Sequence, residues 1–306
     1  MHDGLLSSLD KSWKNFSGAW KSARAKSSEK GVHDLRVSTR RLIAILELAK
    51  AISGDAEIAK LQRRFKKVLK RMGPLRDIQV LLVNLSRIRQ GGLVNDFRKT
   101  LEQRERREID GIRDALTRGR KRKLSRAVKD ARVEFSGLQA KLGSEKIRRS
   151  VDRVLTSRRN ELLRAERRFH RSQPVSEDLL HEMRIALKKF RYVIEASQPL
   201  LDDSARQRAK EMQDFQQLIG ESRDIELLRT GLEKWAGKRG KTIAVVPALD
   251  RLQQKRDGLL KKIVESLAEL EQTLTGTLKP VVEKTHAIGV ATEPPKLEFP
   301  KSAAAH

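Results

Sequence analysis

Cysteine is absent from the 306 residues of the chain, and long apolar runs are missing as well. The first absence excludes disulfides, thiolate nucleophiles and zinc or iron–sulfur sites built on cysteine. No run approaches the roughly 18–20 apolar residues that a membrane-spanning helix needs. The first residues, Met1 to Gly4, lack the basic head and apolar stretch of a signal peptide. We therefore expect a cytoplasmic protein without a membrane span.

The chain has far fewer acidic residues than basic ones. The chain has 67 Lys and Arg against 40 Asp and Glu, which gives a formal net charge of +27. Such a charge repels itself in a compact fold, so it predicts an anionic partner: nucleic acid, an anionic membrane surface or a simpler polyphosphate. Only 8 Phe, 3 Trp and 1 Tyr are present, whereas proteins that bind single-stranded nucleic acid rely on aromatic stacking. The balance favours a polyanion without bases.

Prolines are scarce too, since the chain has 8 and three of them stand at positions 294, 295 and 300. Helical periodicity dominates, and Thr242–Val246 is the one short β-branched run. The sequence therefore predicts an all-α fold. Helix-breaking residues, chiefly glycine and proline, divide the sequence into predicted helices at 3–26, 32–52, 56–72, 75–89, 93–118, 121–141, 146–170, 176–198, 203–219, 223–235 and 248–274.

Two sequence blocks of the first half recur in the same order in the second half. The first block recurs at an offset of 148 residues and the second at 147. The matched blocks are 32–47 with 180–195, and 72–78 with 219–225. Ordered matches at nearly one offset predict two helical bundles that arose by internal duplication. The predicted parts are a first half at 1–142, a second half at 143–286 and a flexible C-terminal tail at 287–306.

The first repeated block places its polar residues on one face of the predicted helix. On a wheel of about 100° per residue, this face lies apart from the apolar stripe of Leu35, Leu42 and Leu46. The polar face comprises His33, Arg36, Arg40 and Glu47, and its counterpart in the second half comprises His181, Arg184, Lys188 and Glu195. Arg41 stands apart from it. Cations stacked on successive turns suit a chain of anions, because Arg offers phosphate a planar fork and Lys a point charge.

The helix predicted at 56–72 carries a second basic line. Its members on one flank are Arg64, Lys67 and Arg71. The matched positions of the second half hold Glu211, Asp214 and Leu218. The two halves therefore differ in charge, and we expect the first half to bind more of the ligand.

Structural explanations compete with these binding roles. A histidine near a helix start often satisfies a backbone group, and Glu47 and Glu195 can pair with basic residues across the two halves as an internal ionic seam. Asp77 and Asp224 each follow an arginine shortly after a glycine. In the first turn of a helix, a carboxylate is stabilised by the helix dipole and needs no further function.

Catalytic motifs find little support in the sequence. A phosphate-binding Gly-x-x-x-x-Gly-Lys-[Ser/Thr] loop and a zinc-binding His-Glu-x-x-His motif are both absent. A metal site built from His33, His181, Asp77 and Asp224 requires the two halves to face each other. We expect no enzymatic activity, no metal and no cofactor.

The His-x-x-Arg-x-x-x-Arg-Arg block at His33–Arg41, its echo at His181–Lys189 and the two Gly-x-x-Arg-Asp blocks resemble the CHAD domain family. The resemblance spans roughly residues 5 to 275. It implies two helical bundles related by a pseudo-two-fold axis, with a basic surface between them. It also implies binding of inorganic polyphosphate and association with polyphosphate granules. The positions that match the family signature are His33, Arg36, Arg40, Arg41, His181, Arg184, Lys188 and Lys189.

Many members of that family carry an N-terminal CYTH-type triphosphate hydrolase domain with a Glu-x-Glu-x-Lys motif. The segment Met1–Lys30 has no such motif, so we expect a stand-alone form of the domain.

The residues and the resemblance together predict a non-enzymatic protein that binds inorganic polyphosphate. The predicted binding residues are His33, Arg36, Arg40, Arg41, Arg64, Lys67, Arg71, His181, Arg184, Lys188 and Lys189. An RNA-binding helical protein is the first alternative, because it shares the charge. A metal-dependent enzyme that acts on phosphate polymers is the second.

Overall fold

Helices make up nearly all of the chain that the computed structural model describes, namely residues 3–87, 92–172 and 176–275. No strand occurs within these ranges, and the predicted all-α fold is confirmed. The helices are α1 (Asp3–Lys26), α2 (Glu29–Ser53), α3 (Ala56–Arg71), α4 (Gly73–Leu85), α5 (Gly92–Ala115), α6 (Arg118–Lys141), α7 (Ser144–His170), α8 (Glu177–Ser197), α9 (Asp203–Gly237), α10 (Thr242–Glu265) and α11 (Leu267–Thr275). A 3₁₀ turn at Gln198–Leu200 follows α8.

Short polar side chains start several of these helices. The hydroxyl of Ser28 accepts a hydrogen bond of 3.2 Å from the backbone N–H of Gly31 at the start of α2. The hydroxyl of Thr117 accepts one of 3.2 Å from the N–H of Arg120 at the start of α6. Such caps satisfy N–H groups that the first turn leaves unpaired. Gly54 ends α2 with a φ of 72°, a left-handed conformation that glycine adopts without steric cost.

The break predicted at Gly220 is wrong, because α9 runs through this residue without interruption. In the first half, Pro74 lacks a backbone N–H and makes the chain restart between α3 and α4. Glu221 stands at the matched position of the second half. A lone glycine costs only about 1 kcal/mol in a helix, and the burial of the neighbouring Ile219 opposes that cost.

The last predicted helix begins earlier than expected and is divided. α10 begins at Thr242 rather than at residue 248, so the short β-branched run is helical, and Ser266 separates α10 from α11. Pro247 lies within α10, where its missing N–H deprives only the carbonyl of Ile243 in the first turn. The helix end predicted at residue 89 and the tail predicted at 287–306 lie outside the described residues.

The helices pack in the same order in the two halves. α1 packs on α2, α2 on α3 and α4 on α5, and correspondingly α7 packs on α8, α8 on α9 and α9 on α10. α2 also packs on α8, and α4 on α9. The helices that carry the repeated blocks therefore meet across the two halves. This order agrees with the internal duplication and its two halves, which stay predictions.

The apolar core sets the rotation of the two central helices. Leu35 and Leu42 of α2 and Met183 and Leu187 of α8 are fully buried in one cluster that draws on both halves. Burying an apolar side chain of this size contributes roughly 1.5–3 kcal/mol. The polar faces of α2 and α8 therefore turn away from the core and towards a shared cleft.

Candidate anion-binding cleft

The polar faces of α2 and α8 line one cleft of about 540 Å³. Each helix contributes a histidine, a cation three residues later and another cation four residues after that. Because a helix has 3.6 residues per turn, such residues form a row along one face. The two rows are His33, Arg36 and Arg40 on α2, and His181, Arg184 and Lys188 on α8.

Positive charge exceeds negative charge in this cleft. Eight Lys and Arg side chains line it against three carboxylates. The cations are Arg36, Arg40, Lys66, Arg76, Arg184, Lys188, Lys189 and Arg223, and the carboxylates are Glu47, Asp77 and Asp224. The excess of five positive charges, with the histidines neutral, makes the cleft a favourable place for an anion.

Glu47 and Glu195 pair across the two halves, as the ionic-seam alternative expected, but with cations outside the cleft. Arg158 donates from Nε to Oε1 of Glu47 at 2.7 Å, and Arg41 donates from Nε to Oε2 of Glu195 at 3.2 Å. Arg191 also pairs with Glu195. These ion pairs leave Arg36, Arg40, Arg184 and Lys188 without a glutamate ion-pair partner among the described residues.

Lys188 is the most strongly desolvated cation of the cleft. Burial lowers its pKa well below the ordinary value of 10.5, and the positive charges of Arg184, Arg40 and Arg36 lower it further. Asp224 opposes this shift only in part. A buried cation surrounded by like charges is stabilised when an anion binds beside it.

The arginines of the two rows are also partly buried. Burial and the neighbouring Arg40 lower the pKa of Arg36 to about 10, and its Nη1 donates a hydrogen bond of 3.0 Å to the carbonyl oxygen of Leu69. Burial likewise lowers the pKa of Arg184, and its Nε has no hydrogen-bond partner among the described residues. Desolvation of these arginines among like charges favours an anion in the cleft.

Both histidines are held towards the neutral form. Partial burial lowers the pKa of His33, and the charge of Arg76 lowers it further. Burial lowers the pKa of His181, with Arg223 adding to the shift. The Nδ1 atom of His181 is buried without a hydrogen-bond partner within the described ranges. The structural alternative supposed that this histidine satisfies a backbone group, and the Nδ1 atom of His181 does not do so.

The sequence of the chain matches the family model "CHAD domain" over residues 7–233. The chain belongs to the CHAD domain family. The match confirms the resemblance drawn from the repeated histidine blocks, although it ends before the predicted limit near residue 275. No curated protein sequence is detectably similar to the chain.

A solved structure supports the same fold. The crystal structure of the CHAD domain from the plant Ricinus communis aligns with this chain at a TM-score of 0.64 and 18% sequence identity. The alignment covers 92% of this chain and 93% of the plant chain. At this identity the likeness establishes the arrangement of helices and nothing about the ligand.

In this CHAD domain, seven of the eleven predicted site residues line the cleft. They are His33, Arg36, Arg40, His181, Arg184, Lys188 and Lys189. Lys189 also donates from Nζ to Oε1 of Glu161 at 2.6 Å. Arg41 does not line it, and its side chain pairs with Glu195 instead.

The other three predicted residues line a separate cavity. Arg64, Lys67 and Arg71 lie on the flank of α3 that faces α6, whereas their neighbour Lys66 lines the cleft. The second basic line of the sequence therefore does not extend the first one.

The two Arg-Asp pairs are cleft residues that sequence reasoning assigned to helix starts. Neither aspartate lies in a first turn, because α4 begins at Gly73 and α9 at Asp203. Burial raises the pKa of Asp77 and of Asp224, while nearby arginines oppose the shift. The recurrence of Arg-Asp at an offset of 147 was the signal that pointed to them.

In the part of the chain that the structure describes, no group of three or more His, Asp or Glu side chains is placed to hold a metal ion. No helix there combines the length and apolarity that crossing a membrane demands.

Proposed function

We propose that this CHAD domain binds inorganic polyphosphate in the cleft between α2 and α8. The observation that carries the proposal is the pair of cation rows that face one cleft while Glu47 and Glu195 are paired with other arginines. An anion that reaches both rows relieves the repulsion among Lys188, Arg184 and Arg40.

The spacing of the rows favours a polymer over a single phosphate. Arg36 and Arg40 are four residues apart, as are Arg184 and Lys188, which corresponds to about 6 Å along each helix. A repeating chain of phosphates presents an anion to each successive turn. Tyr192 is the one Phe, Tyr or Trp side chain among the described residues that line the cleft, and it is buried, so the cleft has little surface for the base stacking that single-stranded RNA uses.

We propose that the protein binds polyphosphate without cleaving it. The carboxylates of the cleft, Asp77 and Asp224, are each surrounded by arginines, an arrangement that opposes the approach of a divalent cation. We expect polyphosphate of defined length to keep that length when incubated with the protein and Mg²⁺ or Mn²⁺. Shortened chains on a gel would support the phosphate-polymer enzyme instead.

Charge-neutralising variants test the site. We expect the variant with Arg36, Arg40, Arg184 and Lys188 changed to Gln to bind long-chain polyphosphate at least about a hundredfold more weakly in titration calorimetry, since each charge-assisted contact contributes about 1.5–3 kcal/mol. The matched control changes Lys99, Arg104, Arg106 and Arg107 to Gln. It removes the same number of Lys and Arg from α5, outside the cleft. Equal losses in both variants would mean that total charge, and not the cleft, binds the polymer.

Competition separates polyphosphate from RNA. We expect long-chain polyphosphate to displace a labelled RNA at a lower phosphate concentration than RNA needs to displace polyphosphate. The reverse order would favour the RNA-binding alternative.

Granule association follows from the proposed binding. A fluorescent fusion of the protein is expected to collect on polyphosphate granules in cells that form them. The four-residue cleft variant is expected to stay diffuse while the α5 control still collects.

A further inference from the structure

A second cavity of about 670 Å³ lies between α3 and α6 and is closed below by α1 and the end of α5. Its floor is apolar. Trp20, Met72, Ile112, Leu116 and Leu124 line it and are buried, and they are joined there by the half-buried Val68 and Ala127.

The rim of this cavity is cationic. Six basic side chains line it against the single carboxylate of Asp130. They are Arg64, Lys67 and Arg71 from α3, and Arg120, Lys123 and Arg126 from α6. Arg120 donates from Nη1 to the carbonyl oxygen of Ala115 at 3.1 Å. The other five form no ion pair within the described residues, so their charge is available to an anion.

The floor holds an unsatisfied polar atom. The side chain of Trp20 is 2% exposed, and its indole Nε1 has no hydrogen-bond partner among the residues that the structure describes. A buried indole N–H usually has a partner. Because this atom has almost no accessible surface, the accessible part of the floor remains apolar.

The matched region of the second half has the opposite charge. A cavity between α9 and α11 is lined by Glu211, Asp214 and Glu269 together with Arg208. Glu211 and Asp214 stand 147 positions after Arg64 and Lys67. The fold therefore accepts either sign at this place, and the cationic rim of the α3–α6 cavity is not a requirement of helix packing.

We propose that the α3–α6 cavity binds a single-chain amphiphile with an anionic head, such as an alkyl phosphate or a fatty acid. The head lies at the rim among Arg64, Lys67 and Arg71, and the chain lies on the apolar floor. Inorganic polyphosphate has no apolar part and gains nothing from that floor. Ligand sites of about 300–1,000 Å³ typically combine an apolar lining with a few polar groups. This site is independent of the proposed polyphosphate cleft.

A series of alkyl phosphates tests whether the cavity binds the alkyl chain of the ligand. Hexyl, octyl and decyl phosphate are titrated calorimetrically below the concentrations at which they form micelles, with pyrophosphate as the chainless control. Each added methylene is expected to tighten binding about fourfold, the factor that corresponds to about 0.8 kcal/mol per buried CH₂. Decanoate in place of decyl phosphate tells whether the rim accepts both kinds of head. Affinity that does not change with chain length, or pyrophosphate that binds as tightly as decyl phosphate, would overturn the proposal.

Two variants locate the probe. Ala127→Phe fills the space above the floor without changing the charge. We expect it to lower the affinity for decyl phosphate at least tenfold and to leave the affinity for polyphosphate unchanged. The exposed substitutions Arg64→Glu, Lys67→Glu and Arg71→Glu do not disturb the core and are expected to weaken the same probe. The matched control changes Arg104, Arg106 and Arg107 to Glu. Decyl phosphate that binds the rim variant and this control equally well places the amphiphile elsewhere and sinks the assignment.

Discussion

Lys188 shows how a single residue can oppose folding and favour binding. Its ammonium group is desolvated and faces three arginines, so keeping it charged destabilises the free protein. A bound polyanion reverses that cost, since it supplies the missing opposite charge. The same side chain therefore has effects of opposite sign on stability and on affinity.

We expect Lys188→Met to raise the stability of the free protein and to weaken polyphosphate binding. Replacing a buried charge by an apolar side chain of similar shape often stabilises by roughly 1 kcal/mol or more, measured here as the free energy of unfolding in urea. The gain is expected to shrink as pH rises towards 10.5, because the lowered pKa of Lys188 lets the wild-type lysine lose its proton in that range. A variant less stable than the wild type would show that Lys188 is a structural residue.

The histidines predict a pH dependence of binding. The pKa values of His33 and His181 are lowered from 6.5 in the free protein, so folding loses stability as pH falls from about 6.5 through the lowered values. A bound polyanion favours the protonated rings, and affinity is expected to increase over the same range.

Arg76 and Arg40 oppose the proton on His33, and Glu29 and Asp34 favour it. Around His181, Arg223, Arg184 and Lys188 oppose the proton and Asp178 favours it.

Calorimetric titrations between pH 7.5 and pH 5.5 check this dependence. The double variant His33→Gln and His181→Gln is expected to keep only the smaller increase that protonation of Asp77 and Asp224 contributes, because burial raises the pKa of both. An unchanged pH profile in the double variant would remove the histidines from the binding site.

At the scale of the helix, α9 differs from the α3–α4 pair although the two segments share a motif. Pro74 interrupts the first segment, whereas the second continues through Gly220 as one helix of 35 residues. Arg223 and Asp224 therefore lie in the interior of a helix, where their position is set by the packing of α9 on α8 and α4.

This continuity predicts that Gly220→Ala stabilises the protein by about 0.5–1 kcal/mol, the usual gain of alanine over glycine inside a helix. The added Cβ would lie 3.7 Å from Nη2 of Arg184, an ordinary contact. The control is Gly54→Ala, which is expected to destabilise by about 1 kcal/mol because φ is 72° there. Urea unfolding measures both. A destabilised Gly220→Ala would indicate that the helix needs its glycine.

At the scale of the whole molecule, the net charge of +27 and the cleft make different contributions to binding. Dispersed surface charge attracts any polyanion, whereas the cleft concentrates an excess of five charges in one place. The salt dependence of affinity reports how many phosphates are neutralised.

We expect polyphosphate affinity to fall about a hundredfold between 50 and 200 mM salt. This estimate takes about five neutralised phosphates and a slope of about −0.7 for each, the value for single-stranded nucleic acid. Affinities measured by calorimetry across a salt series give the slope. A slope near zero would contradict ionic binding, and the α5 control variant is expected to keep the wild-type slope.

The sequence by itself determined the all-α fold, the family and the two rows of polar residues that line the cleft. Helical periodicity and the repeated spacing of His33, Arg36 and Arg40 are local properties, and a helix converts them directly into a face. The same reasoning failed at Gly220, because the packing of Ile219 and its neighbours overrides a weak local preference.

Only the tertiary structure decided how the faces meet. The packing of α2 on α8 brings the two rows of cations to one cleft, and the contact of α4 with α9 adds both Arg-Asp pairs. Tertiary packing also placed Arg64, Lys67 and Arg71 at a separate cavity. It brought Arg158 to Glu47 and Arg41 to Glu195, where they form ion pairs. The physical reason is that burial and ion pairing depend on neighbours from distant parts of the chain, which periodicity along one helix does not specify.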